Sequence, residues 1–312
     1  MAEIKRKFHI QFKSIRNRMI FSFLLVFLAV IIFMGTGIYL FTVDMLESRN
    51  QRSYEQVLES AENVLADRIS IYEGTARGIL DNQSVQNTLQ MEDDSSGEYM
   101  SQVRLNALNP VGRECIYEME DVIALYLFDN SGKFYYEDPG RSSSEAEALI
   151  DYEAMQESRW YAQALEAKGK EVFLGYDVIS GQPNRMSCVK VINRLNTTEK
   201  IGLMVLSISR DSMRNVIGQF PIQRDIYVLL NEGTVVYQNG YDEESYGESL
   251  ASILKNENDE YLITRHSCEE PEWSMVHVVR RSDVVAEASS VRNIIVITAV
   301  FAVAVMILLC VL

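Results

Sequence analysis

Histidine is almost missing from this chain: three residues in 312, with His9 in a basic N-terminal stretch and only His266 and His277 beyond it. Two histidines without a second ligand pair make no metal site, so His266-Ser267-Cys268 followed by Glu269 and Glu270 reads as a solvated loop. No metal and no cofactor are expected. Cysteine is scarce as well, four in all. Cys310 lies in an apolar run, and Cys115, Cys188 and Cys268 cannot all pair and match no zinc spacing. They read as small buried hydrophobes, with a Cys115–Cys188 bridge left open. Glycine-rich phosphate loops and nucleophile-elbow serines are lacking too, so no catalysis is expected here. Basic charge is short: 29 Lys and Arg face 44 Asp and Glu. Six of the bases (Lys5, Arg6, Lys7, Lys13, Arg16, Arg18) crowd the first 18 residues beside one acid, Glu3, and the remaining 23 bases and 43 acids give −20. So acidic a region, with no basic stripe carrying aromatics, repels phosphate backbones and excludes nucleic acid as a partner.

What the chain does have is length without charge. Met19 to Phe41 is an uncharged run of 23 residues, against the ~20 that a helix needs to cross ~30 Å of hydrocarbon. It exceeds the apolar region of a cleaved signal peptide, about 7–15 residues, and reads as a transmembrane helix over 19–41. Ile294 to Leu312, 19 uncharged residues, reads as a second span cut short where the sequence stops. Clustered Lys and Arg resist translocation, which puts residues 1–18 in the cytoplasm and 42–293 outside the cell. The expected location is the cell membrane.

Residues 43–90 form the next expected element. No proline interrupts it, and Tyr54, Val57, Leu58, Ala61, Val64, Leu65, Ile69, Tyr72, Ile79 and Leu80 recur at helical spacing. One spine helix is predicted, with a break near Gly74 or Gly78. Met91 to Glu98 is turn-like. Val122 to Phe128, the turn Asp129-Asn130-Ser131-Gly132 and Lys133 to Tyr136 spell a hairpin. The turn has only part of a calcium loop, so it is not read as a metal site. Tyr227 to Tyr237 repeats that strand–turn–strand plan, with Gly233 lying 101 residues after Gly132 (233 − 132). Two copies of one module are the reading, chance similarity of common turns the alternative. A helix over 152–167 and strands over 171–179, 185–195 and 200–208 complete a membrane-distal module, 91–208. A short helix over 210–217 and strands over 260–265 and 273–279 belong to a membrane-proximal one, 209–290. The fold class is α+β: a long N-terminal helix and two tandem antiparallel-sheet modules between two transmembrane helices.

In this architecture the chain resembles the double-Cache family of extracytoplasmic sensors, built from stacked PAS-like modules. The basic start FKSIRNRM, the Arg159-Trp160-Tyr161 helix, GLMVLSIS at Gly202 to Ser209 and the LLNEGTVVYQN hairpin look most like the input half of sensor histidine kinases from Gram-positive bacteria. The resemblance implies a ligand-sensing module, with the sensor of a chemoreceptor or cyclic-dinucleotide enzyme, or a surface module docking a solute-binding protein, as alternatives. A homodimer and a small-molecule ligand in the distal module are the expected partners. A pocket needs aromatic walls and a few orienting polar groups. The candidates are Tyr126, Trp160, Tyr161, Tyr176, Asp177 and Arg185, with core packing as the other reading of Trp160 and Tyr161. Amino-acid-sensing members of the family hold the ligand carboxylate with an arginine two residues before the tryptophan and the ammonium with an aspartate late in the module. Here those positions read Ser158 and Ser207, and Arg159 is displaced by one residue, ~100° around a helix. The expected ligand is therefore uncharged or weakly charged.

Overall fold

The computed structural model describes residues 15–92, 94, 100–217, 225–241, 249–255, 260–269, 272–286 and 288–311. It divides into two compact units, one of Tyr54–Glu257 with Ile263–Val278, the other of Met1–Ser53, Asn258–Leu262 and Val279–Leu312.

Helix α1 runs from Ile15 to Asp81, 67 residues. In the first unit its buried residues are Leu58, Ala61, Leu65, Ile69, Tyr72, Ala76 and Ile79, each three or four residues from the last, so one stripe faces the core. The helix passes through Gly74 and Gly78, where a break was expected, and stops at Asn82 instead. The Asn82 carboxamide accepts from the Ser84 backbone N–H at 2.8 Å and caps α2, Gln83–Leu89. Helix α3, Gln102–Glu118, was not foreseen, because Pro110 lies inside it.

The first sheet has the order β2-β1-β5-β4-β3, from β1 (Val122–Asp129), β2 (Phe134–Glu137), β3 (Val172–Leu174), β4 (Arg185–Asn193) and β5 (Lys200–Ser209). Every pairing is antiparallel. Side chains alternate along each strand, and both faces are covered. Leu125, Leu127, Cys188, Met204 and Leu206 join the α1 stripe in one core. Tyr126, Phe128, Val189, Val191, Leu203 and Val205 form a second core with Trp160 and Tyr161.

Between β2 and β3 lie α4 (Ser143–Leu149), α5 (Tyr152–Gln156) and α6 (Arg159–Glu166). The single helix expected over 152–167 is thus two, because Ser158 turns extended and caps α6 through the Tyr161 N–H at 3.3 Å. The strand expected over 171–179 ends at Leu174, and the chain leaves the sheet in a loop carrying Tyr176 and Asp177. Cys115, Cys188 and Cys268 are free and buried, so the Cys115–Cys188 bridge is not formed.

The second sheet, β7-β6-β9-β8, uses β6 (Ile226–Asn231), β7 (Thr234–Asn239), β8 (Tyr261–Ser267) and β9 (Trp273–Arg280). Its order matches β2-β1-β5-β4, with the two echoing hairpins in equivalent places. Their turns differ. Gly132 (φ +88°) closes a four-residue loop that Asp129 braces through the Ser131 and Lys133 backbone N–H groups. Glu232 (φ +47°) and Gly233 (φ +79°) make a two-residue loop with both residues left-handed.

In the other unit, α1 meets helix Ser289–Val311, where Gly35 is so closely approached that a Cβ there would lie 2.6 Å from Ile295 Cγ2. Arg281 grips Glu47 with two bonds, 2.7 and 2.8 Å, which hold the Glu47 carboxyl below its ordinary pKa. Both helices expose large apolar side chains, among them Phe33 at 82% and Phe301 at 69%. Among the described residues α1 alone is long and apolar enough to cross a membrane; Ser289–Val305 is a shorter apolar stretch.

Candidate functional site

The second core, on the sheet face away from α1, contains charge that an ordinary core does not. Asp138 follows β2 and has a fully buried side chain. Its Oδ2 lies 3.1 Å from Arg185 Nη1 and 3.2 Å from Arg141 Nε, and accepts from the Tyr126 hydroxyl at 3.4 Å. Its Oδ1 accepts from the Gly140 N–H at 3.0 Å. Across from this group, Asp177 accepts from the Ile179 N–H at 3.1 Å, the Ser207 hydroxyl at 3.4 Å and the Ser180 hydroxyl. Burial pushes the Tyr126 phenol well above its ordinary pKa, and Asp138 adds to the effect. Tyr126 therefore stays a neutral donor.

The core that Tyr126 belongs to is aromatic. Trp160 and Tyr161 stand edge to face with ring centroids 5.9 Å apart, both under 7% exposed. Burial raises the Tyr161 phenol, but hydrogen bonds from Lys200 and Tyr152 and the Lys200 charge outweigh it and hold the group below its ordinary value. Lys200 also sits 4.9 Å from the ring centroid.

Five of the six sequence candidates are buried: Tyr126 lies near Asp177 and Arg185 and shares an apolar core with Trp160 and Tyr161. Tyr176 is not among them: it is 43% exposed and lines a separate cavity of about 110 Å³ with Arg159, Gln163, Asn231 and Glu232. The chain bends after Leu174, leaving Tyr176 exposed and Asp177 buried. Arg159 also points away, pairing with Glu232 at 3.0 Å and 81% exposed. Asp138, Arg141 and Lys200 were missed. The signal for the first two was an Asp-Pro-Gly-Arg turn directly after a strand, which reads as a solvated corner.

The formal charges of two carboxylates and two guanidiniums cancel, and the polar groups find partners, Asp138 in Arg141, Arg185 and Tyr126 and Asp177 in Ser180 and Ser207. One atom does not, since Arg185 Nε is buried without a hydrogen-bond partner. Such an arrangement can exchange internal hydrogen bonds for those of a polar guest. It holds no nucleophile paired with a base.

No protein-family model matches this chain, and no curated protein matches it. Solved structures do. The chain is similar to the sensory domain of the Campylobacter jejuni chemoreceptor Tlp3 (CcmL), at 13% identity and TM-score 0.54, over 79% of this chain and 99% of that one. It is similar to the Tlp3 ligand-binding domain in complex with L-valine, at 15% identity and TM-score 0.52, over 79% and 98%. The same domain in complex with 4-methylisoleucine gives 12% identity and TM-score 0.53, over 77% and 94%. The chain shares the fold of these sensory domains, in line with the double-Cache resemblance of its sequence. Those neighbours are sensory and ligand-binding domains of a chemoreceptor.

Proposed function

We propose that this chain is the extracytoplasmic input module of a transmembrane receptor, anchored by α1 and by helix Ser289–Val311, that binds a small polar solute beneath Trp160. The observation that carries the reading is the charge-balanced group of Asp138, Arg141, Arg185, Tyr126 and Asp177, buried where Tyr126 shares an aromatic core with Trp160 and Tyr161, on a fold shared with ligand-binding sensory domains. A core under no functional demand does better without buried charges, whose desolvation is costly even when they are paired.

The ligand is uncharged or weakly charged, such as a sugar or another polar metabolite. Ser158 is engaged as a helix cap, Ser207 serves Asp177, and Arg159 faces Glu232. Ser158 and Ser207 stand where the resemblance puts the two charge clamps of an amino-acid sensor, whereas the neighbouring Tlp3 domain is in complex with L-valine. Each missing charge-assisted contact forfeits about 1.5–3 kcal/mol, so affinity for free α-amino acids should fall more than about a hundredfold. The output is a histidine kinase, with a chemoreceptor as the second reading because the similar structures come from chemoreceptors. Calorimetry of the chain in lipid nanodiscs, against the twenty amino acids and a panel of neutral sugars and polyols, tests the ligand class. Micromolar binding of any amino acid, abolished by Trp160→Ala, overturns it.

A further inference from the structure

Both histidines beyond the basic tail touch the same helix. His277 on β9 is fully buried, its ring stacked on Tyr54 of α1 (centroids 3.7 Å apart, planes 30° apart) and 4.7 Å from Tyr227 of β6. Its Nε2 lies 3.1 Å from Asp225 Oδ2. Neither ring nitrogen makes a hydrogen bond. The distance is right and the alignment is not, and charge attraction depends on the first. His266 on β8 places Nε2 2.6 Å from Glu62 Oε2 of α1, and the other Glu62 oxygen accepts from the Glu269 N–H at 2.8 Å. Tyr54 and Glu62 are eight residues apart, about two turns along α1.

We propose that these two histidines give the protein a second sensory input, protons, with β8 and β9 holding α1 tightly when the rings are charged and loosely when they are neutral. The titratable groups facing His277 are Asp225, Tyr54 and Tyr227; those at His266 are Glu62, Glu269 and Cys268. Burial, then Asp225 and Tyr54, push the Tyr227 phenol upward, and burial, then Glu62, push the Cys268 thiol up to about 12. Both stay neutral at physiological pH. The His266 hydrogen bond and the Glu269 N–H hold the Glu62 carboxyl below its ordinary pKa, so the carboxylate is present wherever histidine titrates. Histidine is the side-chain type that changes charge between pH 5 and 8. Protonated, His277 faces a carboxylate and two phenol rings. Neutral, it loses the attraction of the Asp225 carboxylate across 3.1 Å. Only charged rings form the two ion pairs, so the grip is strong in acid, down to where Glu62 itself protonates, and weakens as pH rises.

Hydrogen exchange of the full chain in lipid nanodiscs, read on peptides covering residues 54–62 and corrected for intrinsic exchange, tests this. Protection should be about tenfold greater at pH 5.5 than at pH 8, and the difference should vanish in H266Q/H277Q. Because His277 is fully buried, E62Q at a partly exposed position is the second variant; it leaves both rings in place and should lose roughly half the difference. Equal protection of the wild type at the two pH values overturns the proposal, as does a pH difference that E62Q leaves unchanged. Neither result touches the solute site beneath Trp160, which stands or falls by calorimetry.

Discussion

At the scale of the residue, Asp138 carries more than any other side chain here. It is the shared acceptor for Arg141, Arg185 and Tyr126, and both guanidiniums have side chains no more than 10% exposed. Removing it leaves two buried cations facing each other, and breaking a buried pair from one side costs about 3–5 kcal/mol. Asp138→Ala should lower unfolding free energy by that amount in urea titration, and a loss under about 1 kcal/mol would mean that water already reaches the cluster. Half of this site was legible in the sequence. Trp160 and Tyr161 announce themselves as large aromatics on a short helix, and Asp177 and Arg185 flank strands. Asp138 and Arg141 did not, because a turn sequence reports local backbone preference and says nothing of which sheet face its side chains reach. Lys200 was hidden for a similar reason: a lysine at a strand start looks solvated until its partner, Tyr161, is placed across from it.

At the scale of the element, α1 separates propensity from packing. Gly74 and Gly78 each weaken a helix by about 0.5–1 kcal/mol relative to alanine, which made them candidates for a break. The buried stripe through Tyr72, Ala76 and Ile79 offsets that cost, and the helix yields only at Asn82, where the carboxamide offers an alternative partner to the backbone. A Cβ at either glycine would meet nothing within 4 Å. Gly74→Ala and Gly78→Ala should therefore each stabilise the protein by about 0.5–1 kcal/mol, additively, in denaturant melts. A loss of stability in either would mean that this face of α1 is closely packed against something in solution. Hairpins were the most readable elements, since alternation and turn residues are local. The division of 152–167 into α5 and α6 was not readable, because Ser158 is compatible with both a helix interior and a cap and only tertiary packing chooses.

At the scale of the whole molecule the question is which side of a membrane each part occupies. Six bases before residue 19 against one acid, followed by a region of charge −20, set the strongest asymmetry in the chain, and clustered Lys and Arg remain cytoplasmic. Reporter fusions should report residue 10 inside and residue 150 outside; the reverse would end the receptor reading altogether. The same asymmetry bears on assembly. A region of net charge −20 repels a second copy, so a dimer has to gain its stability from apolar contact along α1. The segment from Asp44 to Leu58 is the place to look. In it Leu58 is buried, while Met45 is 49% exposed and free to meet a partner helix. Single cysteines placed through this segment should crosslink between chains with a period near 3.6 residues, because only one face of a helix can meet its twin. If ligand or pH then moves α1 by ~1–2 Å, as helix shifts at subunit interfaces do, the strongest positions should change in yield while the period stays fixed. A flat profile would rule out a symmetric α1 pair and leave the signal to pass within a single chain.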